Sequence, residues 1–205
     1  MRMLLVEFGA KGERGMDMKA QIIAKGNELF KDKGYEKVTV NDICEACGIT
    51  KTTFYYHLKS KQDILLQSYD IIVDNLTPML RQMLHLPSYW EQIKHLFDYL
   101  ITQFIALGPE LNSQLLIVNL QRKDRALHLR KHLEEIAIDI ISMGQERGQF
   151  HNSNEPKVLY EAAAYMFTGY EYMWCTLSGD FAWRELFFQS LETLLVVTPE
   201  PVNCN

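Results

Sequence analysis

The sequence contains no apolar run near the roughly 20 residues that a membrane-spanning helix requires. Its first residues lack the apolar core of a secretion signal, because Met3-Leu-Leu-Val6 is too short. Both absences point to a cytoplasmic protein with no membrane partner. There is no Gly-rich phosphate loop, no G-x-S-x-G turn and no H-E-x-x-H pair, so no catalytic residue, and no cofactor, is indicated and the chain does not read as an enzyme. Strand-type alternation, internal repeats and low-complexity segments are missing too. Cysteine is scarce, with four in 205 residues, which suits a reducing compartment. Cys44-x-x-Cys47 has a spacing known from zinc and redox sites, yet no second pair or nearby His completes one. Both cysteines fall on the inward side of a short helical stretch that wants small residues, so packing is expected of them. His128 and His132 stand one helical turn apart, but Arg125, Arg130 and Lys131 surround them and disfavour a dication. No metal site is expected.

What the chain does have is helical periodicity throughout. Hydrophobic residues make up 47% and charged residues 23%, ordinary values for a globular protein. The most informative stretch runs from Thr39 to Lys61. Thr39 can cap a helix, and Asp42 stands where a capping box has its acid. Val40, Ile43 and Cys47 share one face, and Gly48 sits where this helix must stop. Thr50 can cap a second helix over about 51–57. Of that helix only Phe54, with Leu58 just beyond, makes an inward stripe. Lys51, Thr52, Thr53, Tyr55, Tyr56 and His57 remain on its surface, groups suited to phosphate and base-edge contact. Two short helices, a Gly turn and a polar second helix describe a helix-turn-helix.

Gly34-Tyr35, Thr39-Val40, Ile43, Ala46 to Gly48, Thr53-Phe54-Tyr55, His57, Lys59-Ser60-Lys61 and Leu65 resemble the DNA-binding domain of the tetracycline-repressor (TetR) family of transcription regulators. The likeness covers about residues 18–66. It departs at Cys44, Cys47, Leu58 and Gly26, none of them at a DNA-contacting position. The resemblance implies an all-α protein: a three-helix helix-turn-helix domain at 17–63, then a larger helical bundle at 64–205 for regulation and dimerisation. Residues 1–16 read as a mobile arm. The resemblance also implies DNA contacts at Thr39, Lys51, Thr52, Thr53, Tyr55, Tyr56, His57 and Lys61. On physical grounds Lys51, Thr52, Thr53 and Tyr55 suit bases, and Thr39, Tyr56, His57 and Lys61 suit the backbone.

The helices expected in order begin with 18–33, whose stripe holds Ile22, Ile23, Leu29 and Phe30. Gly26 interrupts it, at about 1 kcal/mol against Ala, and close packing on the helix-turn-helix would account for that. A lever helix runs from Ser60 toward Pro78. Then come 89–107, 110–122, 124–147, 156–177 and 182–197, separated by Gly108-Pro109, Gly148 and Ser178-Gly-Asp180. Glu146-Arg-Gly-Gln-Phe150 resembles the family's approach to its last two helices, which pair with a second copy. That implies a homodimer face at Ala162, Met166, Gly169, Met173, Phe187, Leu191 and Leu194. Abundant aromatics suit a pocket for a small, largely apolar effector, with Phe97, Gln103, Phe104, Asn119, Tyr165, Tyr170 and Trp174 as candidates. Gln103, Asn119, Glu171 and Thr168 stand out as polar groups among apolar neighbours.

The net charge of −5 is unevenly placed: residues 17–63 carry a net of +1 and residues 64–205 a net of −7. Lys51, Lys59 and Lys61 gather beside the second helix, and the position of charge governs attraction to phosphate. The expectation is a homodimeric, ligand-responsive repressor on a double-stranded inverted-repeat operator. The alternative is a helical small-molecule-binding protein or enzyme in which the helix-turn-helix is merely structural.

Overall fold

A computed structural model describes residues 17–74, 80, 83, 85–121 and 131–198. Among these are nine helices and no strand beyond one antiparallel bridge between Phe150 and Val197. They are α1 (Met18–Lys33), α2 (Val40–Cys47), α3 (Lys51–His57), α4 (Lys61–Asp74), α5 (Tyr89–Leu107), α6 (Pro109–Gln121), α7 (Lys131–Glu146), α8 (Pro156–Thr176) and α9 (Trp183–Leu195). The all-α class is as expected. The arm at 1–16, the stop at Pro78, the helix start at 124 and His128 lie outside the described residues, as does the His132 side chain.

The chain divides into two compact units, one of Met1–Leu76 with Gln103–Ala126, the other of Thr77–Thr102 with Leu127–Asn205. In the first, α1 buries Ile22, Ile23 and Phe30, and packs on α2, α3 and α4. Gly26 faces α4: a Cβ there would lie 2.6 Å from Ile64 Cδ1. The close approach is therefore with the lever helix, not with α2 or α3. Next to it the Asn27 amide donates to the Ser68 hydroxyl (2.6 Å), which donates to Ile64 O (2.7 Å). This polar link ties α1 to α4 inside the core, where an unmade hydrogen bond would cost about 1–3 kcal/mol. Helix α6 also packs on α4. Asn112 secures its start, donating to the carbonyls of Phe104 (2.7 Å) and Gly108 (2.6 Å).

The second unit is held by aromatics. Phe187 on α9 lies 4.9 Å from Phe97 and 5.7 Å from Phe167, centroid to centroid. Trp183 lies 5.2 Å from Phe167 and 5.6 Å from Trp174. Such pairs add about 0.5–1.5 kcal/mol each beyond the area they bury. Arg184 bonds Asp98 and, at 2.8 Å, the Thr102 hydroxyl, which ties α9 to α5. Gly144 leaves room for the Phe150 ring, which a Cβ at that position would strike. The Ser88 hydroxyl accepts from the Glu91 N–H (3.1 Å) to cap α5.

Candidate nucleic-acid interface

Local chemistry fixes α2 and α3 tightly. The Thr39 hydroxyl accepts the Asp42 N–H (3.3 Å), and the Asp42 carboxylate accepts the Thr39 N–H (2.7 Å) and hydroxyl (2.6 Å). This reciprocal box uses Asp where Glu or Gln is commoner. Hydrogen bonds from Thr39 hold the Asp42 carboxyl below its ordinary value. Gly48 ends α2 at φ 64° and ψ 34°, left-handed values that glycine adopts at little cost. Two residues on, the Thr50 hydroxyl accepts the Thr53 N–H (3.2 Å) and starts α3. Phe54 and Leu58 are buried and anchor α3 from below.

That anchoring turns the other side outward. Lys51, Thr52, Tyr55 and Tyr56 are exposed; Tyr55 keeps 54% of its surface and Tyr56 85%. Tyr55 stands edge-on to Phe54, and Tyr56 edge-on to His57. Thr53 and His57 are half-buried, with the Thr53 hydroxyl 3.0 Å from that of Thr50. Thr39 is exposed, although its hydroxyl is engaged by Asp42. A continuous polar and aromatic face of this kind can meet phosphate oxygens and base edges together.

Lys61 differs from the expectation. Its ammonium donates to Tyr35 O (2.9 Å) and Val38 O (3.1 Å) and lies 4.2 Å from the centre of the Tyr35 ring. It is half-buried and clamps the α1–α2 corner to the start of α4, so a free phosphate partner is the wrong description of it. Glu110, at the start of α6, grips the same corner: its carboxylate accepts the Tyr35 N–H at 2.9 Å. Glu110 was not foreseen, because 75 residues separate the partners and no local pattern links them. Tyr35 itself is buried, and burial followed by the nearby Glu36 pushes its phenol up to about 12. Cys44 is buried and Cys47 half-buried; burial, then Cys44, raises the Cys47 thiol. No group of three His, Cys, Asp or Glu side chains among the described residues has a metal-holding arrangement.

The candidate pocket residues divide between the units. Gln103, Phe104 and Asn119 are buried in the first; neither polar atom of the Asn119 amide finds a hydrogen-bond partner among the described residues. Phe97 and Trp174 are buried in the second, and Tyr170, half-buried there, shares a 2.6 Å hydrogen bond with Ser190. Tyr165 is 73% exposed and lines no interior, so it joins the outer face of α8. Thr168 is exposed as well, its hydroxyl donating to Ala164 O (3.2 Å). On that face Gly169 and Met173 are exposed and Ala162 and Met166 are half-buried, as is Leu194 on α9. Phe187 and Leu191 are fully buried in the aromatic core, and the expectation that they face a second copy is corrected. Their 3.6-residue spacing marks an apolar face without saying what covers it.

No described helix is long and apolar enough to cross a membrane. Residues 22–67 match the family profile of bacterial regulatory proteins of the tetR family. Over 83 residues the chain is 34% identical to IcaR of Staphylococcus aureus, a helix-turn-helix negative transcriptional regulator of the biofilm operon icaADBC; the match spans 40% of this chain and 44% of IcaR. The chain thus spans less than half the length of that curated relative. Among solved structures, FadR of Thermus thermophilus, a TetR-family repressor crystallised with lauroyl-CoA, superposes with a TM-score of 0.68 at 19% identity, over 91% of this chain and 99% of that one. The fatty acid degradation regulator FadR of Bacillus halodurans gives 0.66 at 18% identity, over 89% and 97%. At such identities the likeness is one of fold.

Proposed function

We propose, on the premise that this chain belongs through residues 22–67 to the TetR family of bacterial regulatory proteins, that it is a cytoplasmic, ligand-responsive transcriptional repressor. It binds an inverted-repeat operator as a homodimer and performs no catalysis. The observation that carries this reading is α3: a helix fixed from below by Phe54 and Leu58, with Lys51, Thr52, Tyr55 and Tyr56 turned outward. Two such helices, about 34–36 Å apart, enter successive major grooves on one side of the duplex. Lys51, Thr52 and Tyr55 read bases; Tyr56, His57 and the exposed Thr39 lie against the sugar-phosphate backbone.

The second copy docks on α8. Val158, Tyr165 and Tyr172 are exposed on it at seven-residue spacing, with Ala162 and Gly169 between them. A soluble chain rarely leaves such an apolar stripe uncovered, and Gly169, with open space where a Cβ would stand, permits close helix approach. An effector acts by favouring the dimer geometry that fits DNA poorly, and weakens DNA binding by as much as DNA weakens its own binding. FadR's lauroyl-CoA supports a small-molecule effector with a large apolar part for this chain also.

The decisive experiment is a footprint of the purified protein on the DNA upstream of its own gene. The expected result is protection of an inverted repeat at nanomolar concentration and physiological salt, as specific regulators typically bind at about 10⁻⁸–10⁻¹¹ M. Equal binding to unrelated DNA would sink the proposal.

A further inference from the structure

Glu171 lies on α8 in the second unit and retains 2% of its surface. Its Oε1 finds no hydrogen-bond partner among the described residues. Burial pushes the carboxyl up to about 8. A buried polar group without a partner is costly and uncommon in native proteins, so its presence calls for an occupant that supplies the missing partner. The neighbouring residues say which kind. Phe167 stands one turn before Glu171 on α8 and Trp174 one turn after it, both buried. Both rings meet Trp183 of α9, at 5.2 Å and 5.6 Å between centroids. An acid beside aromatic rings suits positive charge: a cation brought against it draws off the carboxyl proton, and the ring quadrupoles add their own attraction. An anion is disfavoured by the negative ring faces, and a neutral hydrocarbon leaves Oε1 unpaired.

We propose that Glu171, with the Phe167, Trp174 and Trp183 rings beside it, forms the recognition point of a binding site for an organic cation with an apolar body. The site rests on the reading of the second unit as the ligand-sensing part, and it specifies that ligand as positively charged. The apolar body packs among the rings while the cationic nitrogen sits against Oε1 and completes its missing contact.

The test uses the full chain and two probes of the same shape, benzylammonium and its uncharged carbon isostere ethylbenzene, titrated by calorimetry. The expected result is saturable binding of the cation, with the isostere at least about tenfold weaker. Glu171→Gln should weaken the cation by about tenfold or more and leave the isostere unchanged. Equal affinity for the two probes, no binding of the cation in the millimolar range, or an unaltered cation affinity in a folded Glu171→Gln protein would overturn the site. The two-probe comparison on the unsubstituted protein stands even if the variant does not fold. A gel shift on upstream DNA, run on the same preparation, separates the two readings. Loss of specific DNA binding with intact cation binding refutes the repressor and spares the site; the reverse refutes the site alone.

Discussion

Two helices of this protein expose pairs of tyrosines, and their neighbours differ. On α3, Tyr55 and Tyr56 stand among Lys51, Thr52 and His57. On α8, Tyr165 and Tyr172 stand among Val158, Gly169 and Met173. The first setting offers rings with donors and a cation, which fits a polyanion that brings its own acceptors. The second offers rings with small and apolar groups, which fits a surface that brings more of the same. Residue type alone does not tell the two apart; the company around each ring does. The acids of the two regions contrast in the same way. Asp42 in the helix-turn-helix is held in its charged form by Thr39, whereas Glu171 in the aromatic unit is held in its neutral form by burial.

The sharpest way to break the comparison is to make α8 polar. Tyr165→Glu with Tyr172→Glu should convert the proposed dimer to a monomer in sedimentation and weaken operator binding by on the order of 100-fold or more, since a lone copy loses half of the contacts. A dimer that survives both charges would place the interface elsewhere. Next in size is Tyr55→Ala, expected to cost about 1–3 kcal/mol of operator binding while sedimentation stays unchanged. If Tyr55→Ala leaves the footprint intact, the α3 face is not the reading surface.

The acids give a third test. Glu171 keeps its proton up to about 8 in the folded chain, against an ordinary 4.5. Between those values the unfolded chain has lost a proton that the folded chain retains, so stability falls as pH rises, by up to about 1.4 kcal/mol per pH unit. Melting temperatures measured from about pH 5 to about pH 8 should decline, and Glu171→Gln should flatten the decline. Asp42 acts in the opposite sense: its contribution is lost as pH falls through its lowered value. The smallest effect concerns the lysines. Lys51→Ala should reduce the slope of log affinity against log salt by about 1, whereas Lys61→Ala should leave that slope nearly unaltered and lower the melting temperature instead. A flattened slope for Lys61→Ala would mean that its ammonium leaves Tyr35 and Val38 when DNA arrives.

Much of the helix-turn-helix was legible in the sequence because its determinants are local. Thr39 with Asp42, Gly48 and Thr50 lie within a dozen residues, and each acts on backbone groups three or four positions away. The Phe54 and Leu58 stripe follows from helical period alone. What escaped depends on contacts between distant segments. Lys61 looks like any lysine beside an exposed polar helix until the carbonyls of Tyr35 and Val38 are brought to it. Phe187 and Leu191 carry the same apolar pattern whether they face their own core or a partner's. Gly144 reads as a weak helix position until the Phe150 ring is seen to occupy the place of its side chain. Glu171 was visible as an acid in apolar company, but nothing local revealed that its Oε1 would have no partner.

The corner at 34–38 is gripped from both sides through its main chain: Glu110 takes the Tyr35 N–H, and Lys61 takes the Tyr35 and Val38 carbonyls. Neither anchor depends on the letters of α2 or α3. The corner can therefore keep its place through changes on the outer face of α3 that leave Phe54 and Leu58 buried. On the proposed function, a segment with another outward face on α3 and the same backbone course at the corner would meet the same two anchors and read another operator.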